Sequence, residues 1–331
     1  MAGRLFLFDG TAIFYRGYYG IDVSLTNSKG EPTNALFGLA RMLSKFTRER
    51  MEEGDYALFA FDRKELTHRH KMFEAYKATR EAMPEALVAQ LKDVPELVEA
   101  FGVKYLSIAG LEADDIIATA TKKYRDSVEK IFIITGDKDI LQLVDDKVHV
   151  LRFVTGLTDL ELYDRQAVID KFELEPERLH SLLTLAGDQS DNIPGIPGIG
   201  VKTAQKLLKE YGDIEGIYEN IRQLSQSLKQ KLIDGKRSME LSRELVKLIT
   251  DENLDLTLDE LEYHGYRKEN LREILLRLEF SSMIDEYSMT CEAEAKLSDI
   301  DGYTLISSDE ELRNLLEKVR SNPVVSLDLE T

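Results

Sequence analysis

Nine acidic side chains stand where a parallel sheet would gather them: Asp9, Asp62, Glu112, Asp114, Asp115, Asp137, Asp139, Asp188 and Asp191. Asp9 follows the apolar run "LFLF", Asp62 follows "LFAF", and Asp137 and Asp139 follow "FIITG". Glu112, Asp114 and Asp115 sit after the strand-like "GVKYLSI", at the start of the helical "DIIATATKKY". Asp188 and Asp191 are three apart in "GDQSDN", a spacing that lets both face one way from a helical turn. One carboxylate can cap a helix. A whole set in one low-dielectric cleft requires protons or cations to neutralise it. No His or Cys accompanies these acids, which disfavours zinc, whereas oxygen ligands alone select Mg²⁺ or Mn²⁺. Two such ions roughly 4 Å apart are the arrangement used for in-line phosphoryl displacement. The chemistry anticipated is therefore metal-assisted attack on a phosphate ester.

Two further stretches fit a phosphate-bearing polymer. Residues 63 to 80, "RKELTHRHKMFEAYKATR", carry Arg63, Lys64, Arg69, Lys71, Lys77 and Arg80 against only Glu65 and Glu74. Lys77 and Arg80 suit a phosphate and Tyr76 suits a stacked base, the usual combination for single strands. The plainer reading is a solvated helix with internal ion pairs. The run "FYRGYYG" (14–20) is core packing by default, with Arg16 its candidate functional residue. In "NIPGIPGIGVKTAQKLL", Gly195, Gly198 and Gly200 precede a helix carrying Lys202. Such glycines let backbone N–H groups approach a phosphate, and the helix N-terminus favours an anion.

The elements that must position these residues follow from periodicity. Short apolar runs at 4–8, 56–61, 102–108, 130–135 and 147–154 read as buried strands, with helical patterns between them. Alternation of this kind implies an α/β fold, with a mostly parallel central sheet and helices on both faces. From about residue 164 the pattern is helical. The 331 residues suffice for two domains and part of a third. A net charge of −18 argues against nucleic acid only if it is spread evenly, which the basic insert contradicts. The single cysteine, Cys291, excludes a disulfide framework and suits a reducing cytosol. No apolar run reaches the length of a membrane span, and the short "LFLF" is not a signal peptide.

Taken together, "LFDG", "AFD" followed by "RHKMFEAYKATR", "GLEADDIIA", "TGDKDILQLV" and "GDQSDNIPGIPGIGVKTA" resemble the 5′ nuclease (flap endonuclease) family. More narrowly, they are similar to the 5′–3′ exonuclease domains at the amino terminus of bacterial DNA polymerase I enzymes. The similarity runs in family order over about residues 3 to 287. It implies that all nine acids bind two or more divalent ions, with Asp62 and Asp115 essential to catalysis, and that the fold is PIN-like. It also implies an α/β core over 1–175, whose residues 64–95 form a helical arch admitting a free 5′ end, and a helical DNA-binding subdomain over 176–287. Tyr76, Lys77 and Arg80 match the arch positions, Lys77 and Arg80 aiding catalysis, while Arg16 and Arg69 belong to the basic set that meets DNA. Gly195, Gly198, Gly200 and Lys202 match a helix-hairpin-helix element that holds duplex DNA, often with K⁺.

Residues 288–299 read as a linker, and 300–331 as the truncated start of a further domain. There, "VVSLDLET" resembles the first motif of a 3′–5′ proofreading nuclease, with Asp328 and Glu330 as ligands whose partner motifs are missing. The expectation is a monomeric bacterial enzyme of the cytoplasm and nucleoid that cleaves DNA at a 5′ flap, nick or recessed 5′ end, without polymerase activity in this chain. Three alternatives fit less well. A haloacid-dehalogenase-type phosphatase needs a nucleophile where Leu7 stands. A PIN-type ribonuclease would lack the hairpin and arch, and a non-catalytic DNA-binding relative would have lost acids that are all present.

Overall fold

The computed structural model describes residues 3–22, 24–156 and 159–287, together with 313, 315 and 316. Cys291, the linker, Asp328 and Glu330 lie outside the described residues. Residues through Glu279 form one compact unit. The second unit, from Phe280 onward, contains the helix Ser281–Glu286. Among the described residues no helix is long and apolar enough to cross a membrane.

Six strands build the sheet: β1 (Leu5–Asp9), β2 (Tyr56–Ala60), β3 (Lys104–Leu106), β4 (Ile131–Thr135), β5 (Val148–Phe153) and β6 (Leu160–Tyr163). Their order is β3-β2-β1-β4-β5-β6, parallel except for the antiparallel β5–β6 pair. All of β1 is buried, which explains its unbroken apolar run: a central parallel strand is covered on both faces. The chain runs outward from β1 to β2 and β3, then returns to β4 on the other side. The C-terminal ends of β1 and β4 thus flank a topological switch point, where doubly wound sheets open a crevice. The edge strand β6 was not anticipated. It has only four residues, and Glu161 and Leu162 are exposed, so it carries neither a buried run nor a clean alternation.

The helices are α1 (Gly10–Gly20), α2 (Asn34–Glu49), α3 (His68–Met72), α4 (Glu85–Val88), α5 (Val94–Ala100), α6 (Ala113–Tyr124), α7 (Arg165–Phe172), α8 (Leu179–Ala186), α9 (Val201–Tyr211), α10 (Ile214–Glu219), α11 (Gln226–Asp234), α12 (Lys236–Val246) and α13 (Lys268–Arg277). One apolar cluster runs from Leu5, Leu58 and Ile133 in the sheet to Leu185, Leu208 and Leu232 in the later helices. The sheet and the helical region therefore share a core.

The segment expected as a helical arch is only partly helical. Helix is confined to α3 and α4, with a 3₁₀ turn at Leu91–Asp93 ahead of α5. Between α3 and α4 the chain turns, with Lys77 at φ +55° and its N–H donating to the Asp191 carbonyl at 2.9 Å. A left-handed residue interrupts any helix, and Pro84 then starts the next one.

Candidate active site

A cleft of about 780 Å³ opens at the switch point, lined by Asp9, Asp62, Glu112, Asp114 and Asp137. Lys77, Arg80 and Lys138 share its wall, and Tyr15, Tyr19 and Phe61 give it an apolar side. Each acid is placed by local structure. Asp9 ends β1 and caps α1, accepting from Ala12 N at 3.0 Å and from the buried Thr135 hydroxyl at 2.6 Å. Thr135 Oγ1 also accepts from Asp137 N, so one hydroxyl joins the ends of β1 and β4. Asp62 accepts from Ala113 N at 2.6 Å, tying the end of β2 to the start of α6, and its own N–H donates to Thr11. Asp137 accepts from Asp139 N.

Electrostatics divides the acids into two groups. Burial pushes Asp9 up to about 7, with Asp62 and Asp137 adding to the rise against the bonds from Thr135 and Ala12. Burial also raises Asp62. Asp114 lies well above the carboxylate range because of burial and the charges of Asp137 and Asp9. Asp139 is raised likewise, by burial and then Asp137 and Asp188, and its buried Oδ1 has no hydrogen-bond partner.

The second group is tied to cations. Glu112 accepts from Arg69 at 2.7 Å, Lys77 at 2.5 Å and the Tyr76 hydroxyl at 3.0 Å. Its burial is outweighed by Lys77 and Arg69, so it sits below the usual range. Asp188 is also lowered: burial is overcome by bonds from Ser190 and by Lys138 at 3.2 Å. Asp191 is paired with Arg80, and accepts from Tyr76 at 3.2 Å.

Asp139, Asp188 and Asp191 do not line the cleft themselves, although Lys138 and Ser190 next to them do, and four further expected site residues lie elsewhere than anticipated. Asp115 is completely enclosed and does not line the cleft; both its oxygens accept from Arg69, and Oδ1 also accepts from Ile249 N. Arg69, expected against DNA, is 3% exposed and engaged with acids and carbonyls. Tyr76, expected to stack on a base, is 4% exposed, because its hydroxyl is drawn between Glu112 and Asp191. Arg16 does not line the cleft: it packs on Phe153 and donates to the carbonyls of Val154 and Gly156.

The glycine hairpin joins α8 to α9 and passes Asp188 and Asp191 on the way. Gly187 (φ +73°) and Gly195 (φ +58°) pack backbone on backbone, where an added Cβ on Gly187 would lie 2.4 Å from Ile193 O. The Gly195 and Gly198 carbonyls accept from Ser238 and Lys231. Gly200 precedes α9 with open space around its Cα. Lys202 lines a separate groove with Lys206 and Lys209.

As they stand, no three of the acids converge on one point among the described residues. Lys77, Arg80 and Lys138 are interleaved with them. The set still fits hard dications: its donors are all oxygen, Asp139 Oδ1 is buried and unsatisfied, and burial drives Asp9, Asp62, Asp114 and Asp139 upward.

Sequence reasoning missed Thr135, Thr11 and Arg152. Arg152 lines the cleft and donates to the Gly136 carbonyl at 2.9 Å. Only the position of Thr135 just before "GD" hinted at a role.

An α/β sheet with acids at its switch point and a glycine hairpin beside them defines a class of phosphoester-cleaving nucleases. Residues 4–173 match the 5′-3′ exonuclease N-terminal, resolvase-like domain, and residues 174–269 match the 5′-3′ exonuclease C-terminal SAM fold. The chain belongs to the 5′-3′ exonuclease family and is a nuclease.

DNA polymerase I of Caldicellulosiruptor bescii is 38% identical over 290 residues, which are 87% of this chain and 34% of that protein. DNA polymerase I of Bacillus subtilis is 36% identical over 312 residues, 92% of this chain and 35% of that one. The chain thus spans about a third of the length of these relatives. Among solved structures, bacteriophage T5 D15 protein co-crystallised with metal ions matches with a TM-score of 0.61 and 25% identity, over 75% of this chain and 90% of that one. The catalytic core of Rad2 in complex with DNA substrate, at 18% identity, shares the fold with a TM-score of 0.57 over 83% of this chain and 87% of that one.

Proposed function

We propose that this chain is a structure-specific, divalent-metal-dependent 5′ nuclease that hydrolyses DNA at a 5′ flap, nick or recessed 5′ end. The single observation that carries this reading is the gathering of strand-end acids in one cleft whose rim bears Lys77 and Arg80. Asp9, Asp62, Glu112, Asp114, Asp137, Asp139, Asp188 and Asp191 would hold Mg²⁺ or Mn²⁺. Asp115 is left out of that set, because it is fully enclosed and both its oxygens are committed to the likewise buried Arg69. Bound there, the ions supply an activated water and offset the charge that develops on the phosphate. Glu112 stays ionised beside Lys77 and Arg69. Lys77 and Arg80 hold the scissile phosphate, and the apolar side with Tyr15 and Tyr19 excludes water from it. Water adds to phosphorus and the O3′ of the preceding nucleotide leaves, so the product carries a 5′-phosphate. The hairpin and Lys202 bind duplex backbone and set the distance to the cut.

The K⁺ ion implied by the family likeness fits the hairpin poorly, since the Gly195 and Gly198 carbonyls already accept from Ser238 and Lys231. We assign it no residue. The biological setting that fits is primer removal and repair by a monomeric bacterial cytoplasmic, nucleoid-associated enzyme, as one portion of a DNA polymerase I. A 5′-labelled DNA flap incubated with Mg²⁺, Mn²⁺ or excess chelator tests the reading. Cleavage near the junction only with metal is expected. Turnover in chelator, or cleavage of an RNA flap in preference to DNA, overturns it.

A further inference from the structure

Arg69 uses its whole guanidinium. Nε donates to Leu245 O at 2.8 Å; Nη1 donates to Glu112 Oε2 and Asp115 Oδ2, both at 2.7 Å; Nη2 donates to Asp115 Oδ1 and Lys247 O, both at 2.8 Å. All five N–H groups of an arginine are thereby satisfied, by acceptors on two separate stretches of chain, so that α3, which carries Arg69, is tied to both. The first is the start of α6, whose N-terminal acids it grips. The second is the C-terminal end of α12 and its exit, where Leu245 and Lys247 accept and Ile249 N–H donates back to Asp115.

Helix α12 has a second attachment at its other end. Ser242 Oγ accepts from Gly195 N at 2.9 Å, and Ser238 Oγ donates to Gly195 O at 2.7 Å. One helix therefore clasps the hairpin glycine and presents two carbonyls to the arginine that fixes Glu112. All these contacts lie within one compact unit.

We propose that Arg69 is a positioning residue: it makes no contact with DNA, and it couples the α12–hairpin body to the carboxylate of Glu112. This rests on the functional reading above. Buried partners that orient ligating carboxylates are a recognised determinant of metal affinity. Lysine cannot replace the fork, because its three N–H bonds radiate from one point and cannot serve five acceptors on two segments.

The test uses the full chain as Arg69→Lys beside wild type. Four quantities are measured: Mn²⁺ affinity without DNA by calorimetry, flap-DNA affinity in chelator as a function of salt, single-turnover cleavage, and the melting temperature. The expected result is a fall of roughly tenfold to a hundredfold in both Mn²⁺ affinity and single-turnover rate, with DNA affinity and its salt slope unchanged. If the salt slope shrinks by about one contact while Mn²⁺ affinity holds, Arg69 is a DNA contact and the proposal is wrong. If only the melting temperature moves, Arg69 is a plain strut and the proposal is equally wrong.

Should Arg69→Lys fail to fold, Ser242→Ala keeps the arginine and cuts the clasp on Gly195. A slower single-turnover rate on the flap with unchanged Mn²⁺ affinity supports the coupling, and an unchanged rate overturns it. Failure of wild type to cleave the flap would count against the proposed function, whereas the Mn²⁺ arm judges Arg69 independently of cleavage.

Discussion

The acids in and around the cleft live under opposite electrostatic rules. At the switch point, Asp9, Asp114 and Asp139 face burial and the charge of neighbouring acids, Asp137 common to all three, and all are pushed up. Beneath the segment 69–80, Glu112 and Asp191 are tied to Lys77, Arg80 and Arg69, and Asp115 to Arg69 alone. The first group is electrostatically incomplete within the protein and invites a cation. The second is already paired with the protein's own cations, which also anchor the segment that carries them. Identical side chains thus start from two electrostatic settings, and the nearness of Arg69, Lys77 and Arg80 decides which.

The largest effect should come from the first group. Asp62 lines the cleft, is raised by desolvation, and is held by Ala113 N and the Thr11 hydroxyl with no cation paired to it among the described residues. Asp62→Ala is expected to leave the melting temperature within a few degrees of wild type, while single-turnover cleavage falls by on the order of 10² to 10³-fold or more. Retention of cleavage would mean that the switch-point acids are not the reacting site.

Next comes Asp115, where the contrast is sharpest. From sequence it belongs with the ligands, a role in catalysis and not in stability. Its complete burial against Arg69 implies the reverse. Asp115→Ala leaves a buried guanidinium half compensated, an error costing on the order of 3–5 kcal/mol. Chemical denaturation measures this directly. A variant as stable as wild type would show that the two groups of acids are not distinct.

Much of this was legible in the sequence, for identifiable reasons. Central parallel strands are buried on both faces, so β1, β2 and β4 announce themselves as apolar runs, and their terminal acids follow from the fold rule. Partners were not legible. The carbonyl of Leu245 that receives Arg69 lies 176 residues away, and nothing local marks it. An aromatic–basic run reads the same whether its tyrosine stacks on a base or turns inward, so the burial of Tyr76 was hidden. Thr135 was missed because a hydroxyl at a strand end, even one just before "GD", is a weak signal on its own.

Lys77 allows the boundary between the groups to be moved. It bonds to Glu112, and its ammonium is raised because Glu112 and Asp191 outweigh the cost of burial. Lys77→Ala shifts Glu112 toward the switch-point group, and removes a cation from the scissile phosphate. The expected loss is about tenfold to a hundredfold in single-turnover rate, with a smaller loss of flap affinity. The opposite ranking would make Lys77 a binding residue.

The smallest effect isolates one proton. The folded-state pKa of Asp9 is about 7, above its ordinary 3.8, so between those values the native protein holds a proton that the unfolded chain has released. Stability contributed by this group is therefore intact below about pH 4 and lost as pH rises through about 7. Several other groups titrate nearby, including His68, His149 and His180, which burial lowers. The informative quantity is consequently the difference between wild type and Asp9→Asn, in chelator, because the amide cannot ionise. That difference should move in favour of Asp9→Asn by roughly 2 °C or more between pH 5 and pH 8. Mg²⁺ should shrink it by stabilising wild type alone, since a cation supplies what Thr135 and Ala12 do not. A flat difference across that range would place Asp9 among the satisfied carboxylates, and the division of the acids into two electrostatic groups would fail at its first member.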